Sequence, residues 1–289
     1  MANLRYLNFC LLLHELKRIL KQLFAIENSY NDNVQQVLSL RFGNGHFSFV
    51  ITNKTGNELY KLAYCKAEEW NSGNLHELIS AFPVLKNQFY RVQVCYDFEE
   101  STLVPLSDFR QEESATLLKA IYGVNNESVV ISEVIPEWQL YNVYAAPAEL
   151  KQWVQQHFAT AIFRHNFSLA FKQIEGGGDG GSLHIDFRTD DFSVTAVRNS
   201  KLLLAQTYVY STPEDVVYYL LKICSQFGLS QQEAKFHLSG LIDKQSALYK
   251  ELYQYFIHVD FREATWNVQG EDYPNHFFTS LNDLARCVS

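Results

Sequence analysis

Two short stretches at the ends of predicted strands combine charged, small and hydroxyl residues that suit metal or phosphate chemistry. The first is Arg41-Phe42-Gly43-Asn44 and the second is Asp186-Phe187-Arg188-Thr189. A carboxylate such as Asp186 can hold a divalent cation, and a glycine turn lets backbone N–H groups approach phosphate oxygens. Arg41 and Arg188 suit a second chemistry, because two guanidinium forks bind a phosphate or carboxylate without metal.

The two arginines also have a purely structural interpretation. Arg188 has Asp186, Asp190 and Asp191 close in sequence. Arginines at strand ends are usually solvated or paired with a local acid. Both interpretations therefore stand until the partners of the two guanidinium groups are known.

A glycine-rich stretch interrupts the middle of the chain. Gly176, Gly178 and Gly181 formally fit the spacing G-x-G-x-x-G. A dinucleotide fingerprint needs a helix directly after it, whereas a strand is predicted over 183–188, and no Lys completes a phosphate-binding loop. We interpret residues 176–182 as a flexible interdomain linker, with a backbone anion nest as the alternative.

Other enzyme signatures are missing from the sequence. The five cysteines, at positions 10, 65, 95, 224 and 287, form no C-x-x-C pair, and the nine histidines show no metal-ligand spacing. No nucleophile elbow G-x-S-x-G occurs. We therefore assign no metal site and no catalytic residue, and we expect reduced thiols in a cytoplasmic protein.

Composition narrows the class of protein further. The chain has 289 residues, 47% of them hydrophobic and 15% aromatic, and a formal net charge of −8. This is a globular composition of about two domains, and the acidic charge argues against nucleic acid or an anionic membrane as partner. The apolar run over 6–13 is too short to span a bilayer. Helical spacing over 4–26 predicts an amphipathic helix in an N-terminal extension, residues 1–28, either packed on the body or docking a partner or membrane surface.

Alternation and turn residues predict the elements that position these stretches. In the first half, strands are predicted over 34–41, 46–52, 58–66, 89–98, 128–134, 139–145 and most of 160–174, and helices over 73–82, 111–122 and 147–158. In the second half, strands are predicted over 183–189, 192–198, 201–210, 235–238 and 257–261, and helices over 244–256 and 274–287. A further helix begins at the N-cap Thr212, with Pro213 at N1 and Asp215 completing a capping box, and ends at Gly228.

The two halves look like a duplication. Placing Arg41-Phe42 on Asp186-Phe187 gives an offset of 145 residues, at which Phe47-Ser48 falls on Phe192-Ser193. The order β-β-β-α-β-α-β-α is that of the ribonuclease-H-like unit. We predict an α/β fold with mixed sheets, made of two such units around a cleft. They cover 34–175, with an inserted subdomain near 100–135, and 183–289.

This organisation resembles the actin-like ATPase fold over residues 34–289. The segment 141–150 is similar to a strand-to-helix step in bacterial actin homologues of cell division and pilus assembly. The segments 213–221 and 237–240 resemble, more closely, an uncharacterised bacterial family with this fold. The resemblance implies an Asp and a glycine turn at the first strand end of each half, for magnesium and phosphate.

Neither half keeps that motif intact. The first half has Gly43 but Arg41 in place of the Asp, and the second has Asp186 but Arg188 in place of the glycine. The adenosine motif, which usually offers two glycines, is reduced to Ser239-Gly240. Because phosphoryl transfer depends on metal and positioned donors, these losses remove most of it. An acid on the first strand also suits a nuclease, but Asp190 and Asp191 are poorly placed to complete a two-metal cluster.

The sequence thus predicts a non-catalytic actin-like protein that binds a protein partner or acts as a scaffold. The alternative is a nucleotide- or anion-binding protein, with weak ATPase or phosphotransferase activity, that uses Arg41, Gly43, Asn44, Asp186, Arg188, Thr189, Ser239 and Gly240. Under that alternative ATP and magnesium are the expected cofactors, and otherwise none is expected.

Overall fold

The computed structural model describes residues 20–29, 35–67, 69–174, 176–266 and 273–287. Its strands are β1 Leu20–Glu27, β2 Gln36–Gly43, β3 His46–Asn53, β4 Leu59–Ala67, β5 Arg91–Asp97, β6 Ser101–Pro105, β7 Ser128–Ile135, β8 Leu140–Pro147, β9 Ile162–His165, β10 Ser182–Phe187, β11 Asp191–Arg198, β12 Lys201–Val209, β13 Lys235–Gly240 and β14 His258–Phe261. Its α-helices are α1 Ser72–Ala81, α2 Ser114–Tyr122, α3 Ala148–His157, α4 Asn166–Ala170, α5 Pro213–Phe227, α6 Ala247–Tyr255 and α7 Thr279–Arg286.

The strands form three sheets. The first has the order β1-β4-β3-β2-β5-β9, the second β12-β11-β10-β13-β14, and the third β6-β8-β7. We call residues 35–174 the first unit and residues 176–287 the second unit. The third sheet lies between β5 and β9 in the chain and overlaps the inserted subdomain predicted near 100–135. It extends to Pro147, beyond the predicted limit of 135.

The duplication inferred from sequence is present in the strand register. The β2–β3 hairpin pairs Arg41 with Ser48, and the β10–β11 hairpin pairs Asp186 with Ser193. Both pairs are related by 145 residues, the offset predicted from the sequence. In each unit the first strand also pairs in parallel with the strand that follows the first crossover, β5 or β13. Mixed sheets of this kind confirm the predicted fold class.

Each large sheet buries one face under helices. Leu38, Leu40 and Phe42 of β2 pack in an aromatic-rich core with helices α1 and α3. In the second unit, Leu183 and Ile185 of β10 lie in the equivalent core. Because alternate residues of a strand point to opposite faces, Arg41 and Asp186 lie on the other face of each sheet, toward the opposite unit.

Helix α7 closes the molecule on that second face. It follows β14 in the second unit but packs on β2 and β3 of the first unit. Leu281 and Ala285 join a cluster with Phe24 and Tyr64. None of the helices in the described ranges has the length and apolar run that crossing a bilayer requires.

The predicted N-terminal helix is wrong over residues 20–26. Leu20–Glu27 is a strand that pairs antiparallel with β4, and the rest of that prediction lies outside the described residues. Leu20, Leu23 and Phe24 fit helical spacing, but Phe24 and Ile26 alternate with exposed neighbours. The free edge of β4 offers backbone hydrogen bonds to an added strand, so sheet pairing overrides the local pattern.

Three further expectations need correction. The predicted strand over 160–174 stops at His165, because His165 caps the buried helix α4 by accepting a hydrogen bond from Phe167 N–H. The predicted helix over 244–256 begins at Ala247, after the N-cap Ser246, and the one over 274–287 opens with a 3₁₀ turn, Asn275–Phe278.

The glycine-rich linker is bonded to the second unit rather than free. Asn199 N–H donates to the carbonyl of Gly178 at 3.0 Å, and Ser200 N–H donates to that of Gly176 at 2.7 Å. The segment therefore rests on the turn between β11 and β12. The next strand, β10, already begins at Ser182.

Candidate functional site

The two strand ends singled out in the sequence meet between the units. Nη2 of Arg41, on β2, lies 2.6 Å from Oδ2 of Asp186, on β10. Since the two residues are related by the duplication, the pair lies at the junction of the two equivalent hairpins. The position related to Asp186 by the duplication is an arginine, and that arginine bonds directly to Asp186.

A third residue, Asp97, completes this pair and was missed in the sequence. Its Oδ2 accepts from Arg41 Nε at 3.0 Å and lies 2.7 Å from Arg41 Nη2. Asp97 ends β5 and stands opposite Gly43 in the parallel β2–β5 pairing. An acid at the end of the strand after the first crossover was the available signal, because parallel neighbours end at the same edge of a sheet.

Arg188 is held by acids from both units. Its Nε bonds to Asp191, its Nη1 donates to Ser193 Oγ at 3.2 Å, and its Nη1 lies 3.4 Å from Oδ2 of Asp97. The pairing with Asp191 is the local pairing considered from the sequence. The contact with Asp97 crosses to the first unit, and so mirrors the Arg41 contact with Asp186.

Water hardly reaches this ionic cluster, which we define as Arg41, Asp97, Asp186, Arg188 and Asp191. The exposed fraction is 4% for Arg41, 5% for Asp97 and 2% for Arg188. Burial raises the pKa of Asp97, but Arg188 and Arg41 outweigh it and hold that pKa well below its usual value. Burial likewise opposes ionisation of Asp186, yet Arg41 and Arg188 lower its pKa. Asp97 and Asp186 therefore stay ionised at neutral pH.

The cluster has no surplus positive charge. It contains two guanidinium groups and three carboxylates. His46 Nε2 lies 3.2 Å from Asp97 Oδ2 and would bring the sum to zero if protonated. At the rim, Lys66 is paired with Asp190 at 2.6 Å, and Glu99 is half-buried with a pKa raised by burial and by its neighbours Glu100 and Asp191. An anionic ligand would meet a neutral to negative site.

The two glycines of the predicted site support close packing. A Cβ on Gly43 would lie 2.6 Å from the carbonyl oxygen of Asp97. Gly240 has φ +80°, and a Cβ there would lie 2.7 Å from the backbone nitrogen of Phe187. Both close approaches are filled by the protein itself.

The remaining predicted residues divide between the cluster and its surroundings. Ser239 Oγ donates to Asp186 Oδ1 at 3.0 Å, so Ser239 belongs with the cluster. Asn44 is exposed in the β2–β3 turn. Thr189 is half-buried, and its Oγ1 has no hydrogen-bond partner in the described part of the chain. The structure thus brings Arg41, Asp186, Arg188 and Ser239 together and leaves Asn44 apart.

A small polar cavity adjoins Asp186 between the units. Its volume is about 30 Å³, and its lining includes Asn166, His184, Arg262, Ser280 and Asp283. This is room for about two water molecules and not for a nucleotide. Across the described ranges, no three His, Cys, Asp or Glu side chains group as a metal would require.

Comparisons with known proteins agree with this architecture. The family model "Protein of unknown function (DUF3822)" matches residues 26–259. A protein of Bacteroides thetaiotaomicron with an actin-like ATPase fold and unknown function is 19% identical, with a TM-score of 0.73 over 90% of this chain and 100% of that one. The PilM–PilN type IV pilus biogenesis complex contains a chain that is 13% identical, with a TM-score of 0.52 over 86% of this chain and 97% of that one. No curated protein sequence matches.

Proposed function

Since the chain belongs to the DUF3822 family and has an actin-like ATPase fold, we propose that it is a non-catalytic scaffold that binds a protein partner. The observation that carries this proposal is the ionic cluster. Arg41 Nη2 contacts one carboxylate from each unit, at 2.7 Å and 2.6 Å. A cation is already in place between the acids that would otherwise be available to a metal.

Charge and space support the same conclusion. Phosphoryl transfer needs a metal and donors aimed at the transferred phosphate. Here the guanidinium donors are directed at Asp97, Asp186 and Asp191. A nucleoside triphosphate would have to displace these buried carboxylates and would bring several negative charges to a site without positive surplus.

A partner protein is favoured over a nucleotide because the cavity beside Asp186 measures only about 30 Å³ and the neighbouring guanidinium groups already bond to carboxylates. The partner would then bind an outer surface, as other proteins of this fold form complexes such as PilM with PilN. The described cysteines are all free thiols, three of them buried, which suits a reducing compartment such as the cytoplasm.

Calorimetric titration with ATP, with and without magnesium at low salt, tests the proposal. We expect no binding heat and no thermal-shift change, because both guanidinium groups already bond to Asp97, Asp186 and Asp191 and leave the ionic cluster without surplus positive charge. Magnesium-dependent ATP turnover that Asp186→Ala abolishes would refute it. A thermal shift with a known ligand-binding actin-like protein, run in parallel, shows that the conditions detect binding.

One observation favours a second candidate, an anion-binding protein. Arg188 Nη2 and Thr189 Oγ1 have no hydrogen-bond partner among the described residues. They belong to adjacent residues of the β10–β11 turn and are two donors that a bound phosphate would satisfy. Titration with inorganic phosphate distinguishes the candidates: the second predicts a thermal stabilisation that Thr189→Val removes, and the scaffold proposal predicts none.

A further inference from the structure

The Arg41 side chain connects the two units at a point where no ligand is needed. We infer that its guanidinium is a tethered cation that keeps the units closed on each other, a function that the relatives' fold alone does not assign. Closure of the two units does not depend on whether the protein binds a partner.

Two carboxylates, one from each unit, converge on a single nitrogen of Arg41. Asp97 Oδ2 comes from the first unit and Asp186 Oδ2 from the second, and both lie within 2.7 Å of Arg41 Nη2. Such distances are those of charge-assisted hydrogen bonds. The nitrogen thus sits where a shared cation would sit between two facing acids.

Arg188, from the second unit, contacts the same two carboxylates. Arg188 Nη1 lies 3.4 Å from Asp97 and 3.7 Å from Asp186, so it adds weaker contacts to the same two carboxylates. If Arg41 were removed, Asp97 would keep His46 Nε2 at 3.2 Å and Asp186 would keep the Ser239 hydroxyl at 3.0 Å, but the longer contacts of Arg188 would have to neutralise both carboxylates. Two buried acids in that state repel, and moving the units apart would let water reach them.

The surroundings of the cluster extend the closed interface. Cys95 and Leu169 of the first unit pack with Leu284 of α7. Trp266 Nε1 donates to the carbonyl of Gly56 in the first unit at 2.8 Å. Opening the cleft would therefore break apolar and polar contacts along with the ionic ones, so ligand-free closure is the expected resting state.

A double-mutant cycle of Arg41→Ala and Asp186→Ala tests the inference. We expect each single variant to lower the Tm by roughly 5–15 °C, because it leaves a buried charge without its partner. The double variant should lose clearly less than the sum, since both charges are gone. Hydrogen exchange should rise in both hairpins, residues 43–46 and 187–191.

Two controls keep the test specific. Lys66→Ala removes an exposed pair that also joins the units, and we expect a Tm change under about 2 °C. Millimolar guanidinium should raise the Tm of Arg41→Ala part of the way back, because a free cation can occupy the vacated position. It should not raise the Tm of the wild type. If Arg41→Ala does not fold, Arg41→Lys replaces it in the cycle, because lysine keeps a positive charge but has a shorter side chain that cannot contact both carboxylates as the guanidinium does.

Non-additive decreases in Tm, together with faster hydrogen exchange in both hairpins, support the inference. Additive losses, or exchange that rises only in residues 43–46, would overturn it, because Arg41 would then stabilise its own unit alone.

Discussion

Gly240, a candidate adenosine-site residue in the sequence, is also required by local packing. It ends β13 at φ +80°, beside the backbone of Phe187. Side chains rarely adopt this conformation, and here a Cβ would also overlap main-chain atoms that cannot move without shifting β10. The retained glycine is therefore poor evidence for a bound adenosine.

This packing gives a prediction for Gly240→Ala. We expect it to lower the free energy of unfolding by roughly 2–4 kcal/mol, from backbone strain and overlap together. Gly123→Ala is the matched control, because Gly123 has φ +70° but its added Cβ would meet no atom within 4 Å, and it should cost about 1 kcal/mol. Chemical denaturation measures both. Equal losses would show that overlap at Gly240 contributes nothing.

Among the elements, helix α5 was predicted from its termini and is confirmed. Thr212 accepts from Asp215 N–H, Asp215 accepts from the Thr212 backbone, Pro213 occupies the first turn and Gly228 ends the helix in the left-handed region.

Thr212→Ala should therefore lower the free energy of unfolding in urea by about 1 kcal/mol, and Ser211→Ala is the neutral control. No loss would mean that tertiary packing alone sets the start of α5.

Helix α4 carries a pH-dependent cap. His165 Nε2 lies 3.1 Å from the carbonyl of Phe98 and so carries the proton, while Nδ1 accepts from Phe167 N–H at 3.2 Å. Burial lowers the pKa of His165 to about 4. Protonation of Nδ1 would remove the acceptor that caps the helix.

Acid should therefore destabilise the fold through this residue. His165 takes up a proton near pH 6.5 in the unfolded state but only near pH 4 in the folded state. The free energy of unfolding therefore falls by about 3 kcal/mol as the pH is lowered from 6.5 to 4. His165→Asn keeps a capping oxygen and should flatten the dependence of Tm on pH, although it lowers Tm at pH 7.5. His76→Asn, on an exposed helix position, should leave the slope unchanged. A slope that persists in His165→Asn would assign the effect to another group, such as His184. The pKa of His184 is lowered to about 3 by burial and by the nearby His237 and Arg262.

The same elements show what the sequence could predict. The hairpins and their 145-residue offset follow from alternation and turns, which are local properties. Asp97 was missed because its role comes from the parallel pairing of β2 with β5, across a crossover of more than forty residues. Strand β1 and helix α4 were missed for a related reason: a sheet edge and a buried cap, both tertiary features, decide their form.

For the whole molecule, the C-terminal segment joins units that the duplication would have made separate. Phe278 is fully buried, and its ring lies 5.5 Å from that of Phe24, on the edge strand of the first sheet. The segment thus belongs to the second unit by connectivity and packs on both units, on β13 of the second and on β2 and β3 of the first. We expect the two units to unfold in one cooperative transition, because neither keeps its full core without the other.

Phe278→Ala tests that cooperativity. Loss of the buried ring should cost about 3–5 kcal/mol and shift a single calorimetric transition as a whole, while hydrogen exchange increases in β1 and β4 of the first sheet. Phe236→Ala, a buried ring that stacks on Phe256 inside the second unit, is the matched control. Phe236→Ala should lower the free energy of unfolding by a similar amount and increase hydrogen exchange first in β13. Two transitions, of which Phe278→Ala moves only one, would show that the units unfold independently and that α7 is an attachment rather than a shared part of both cores.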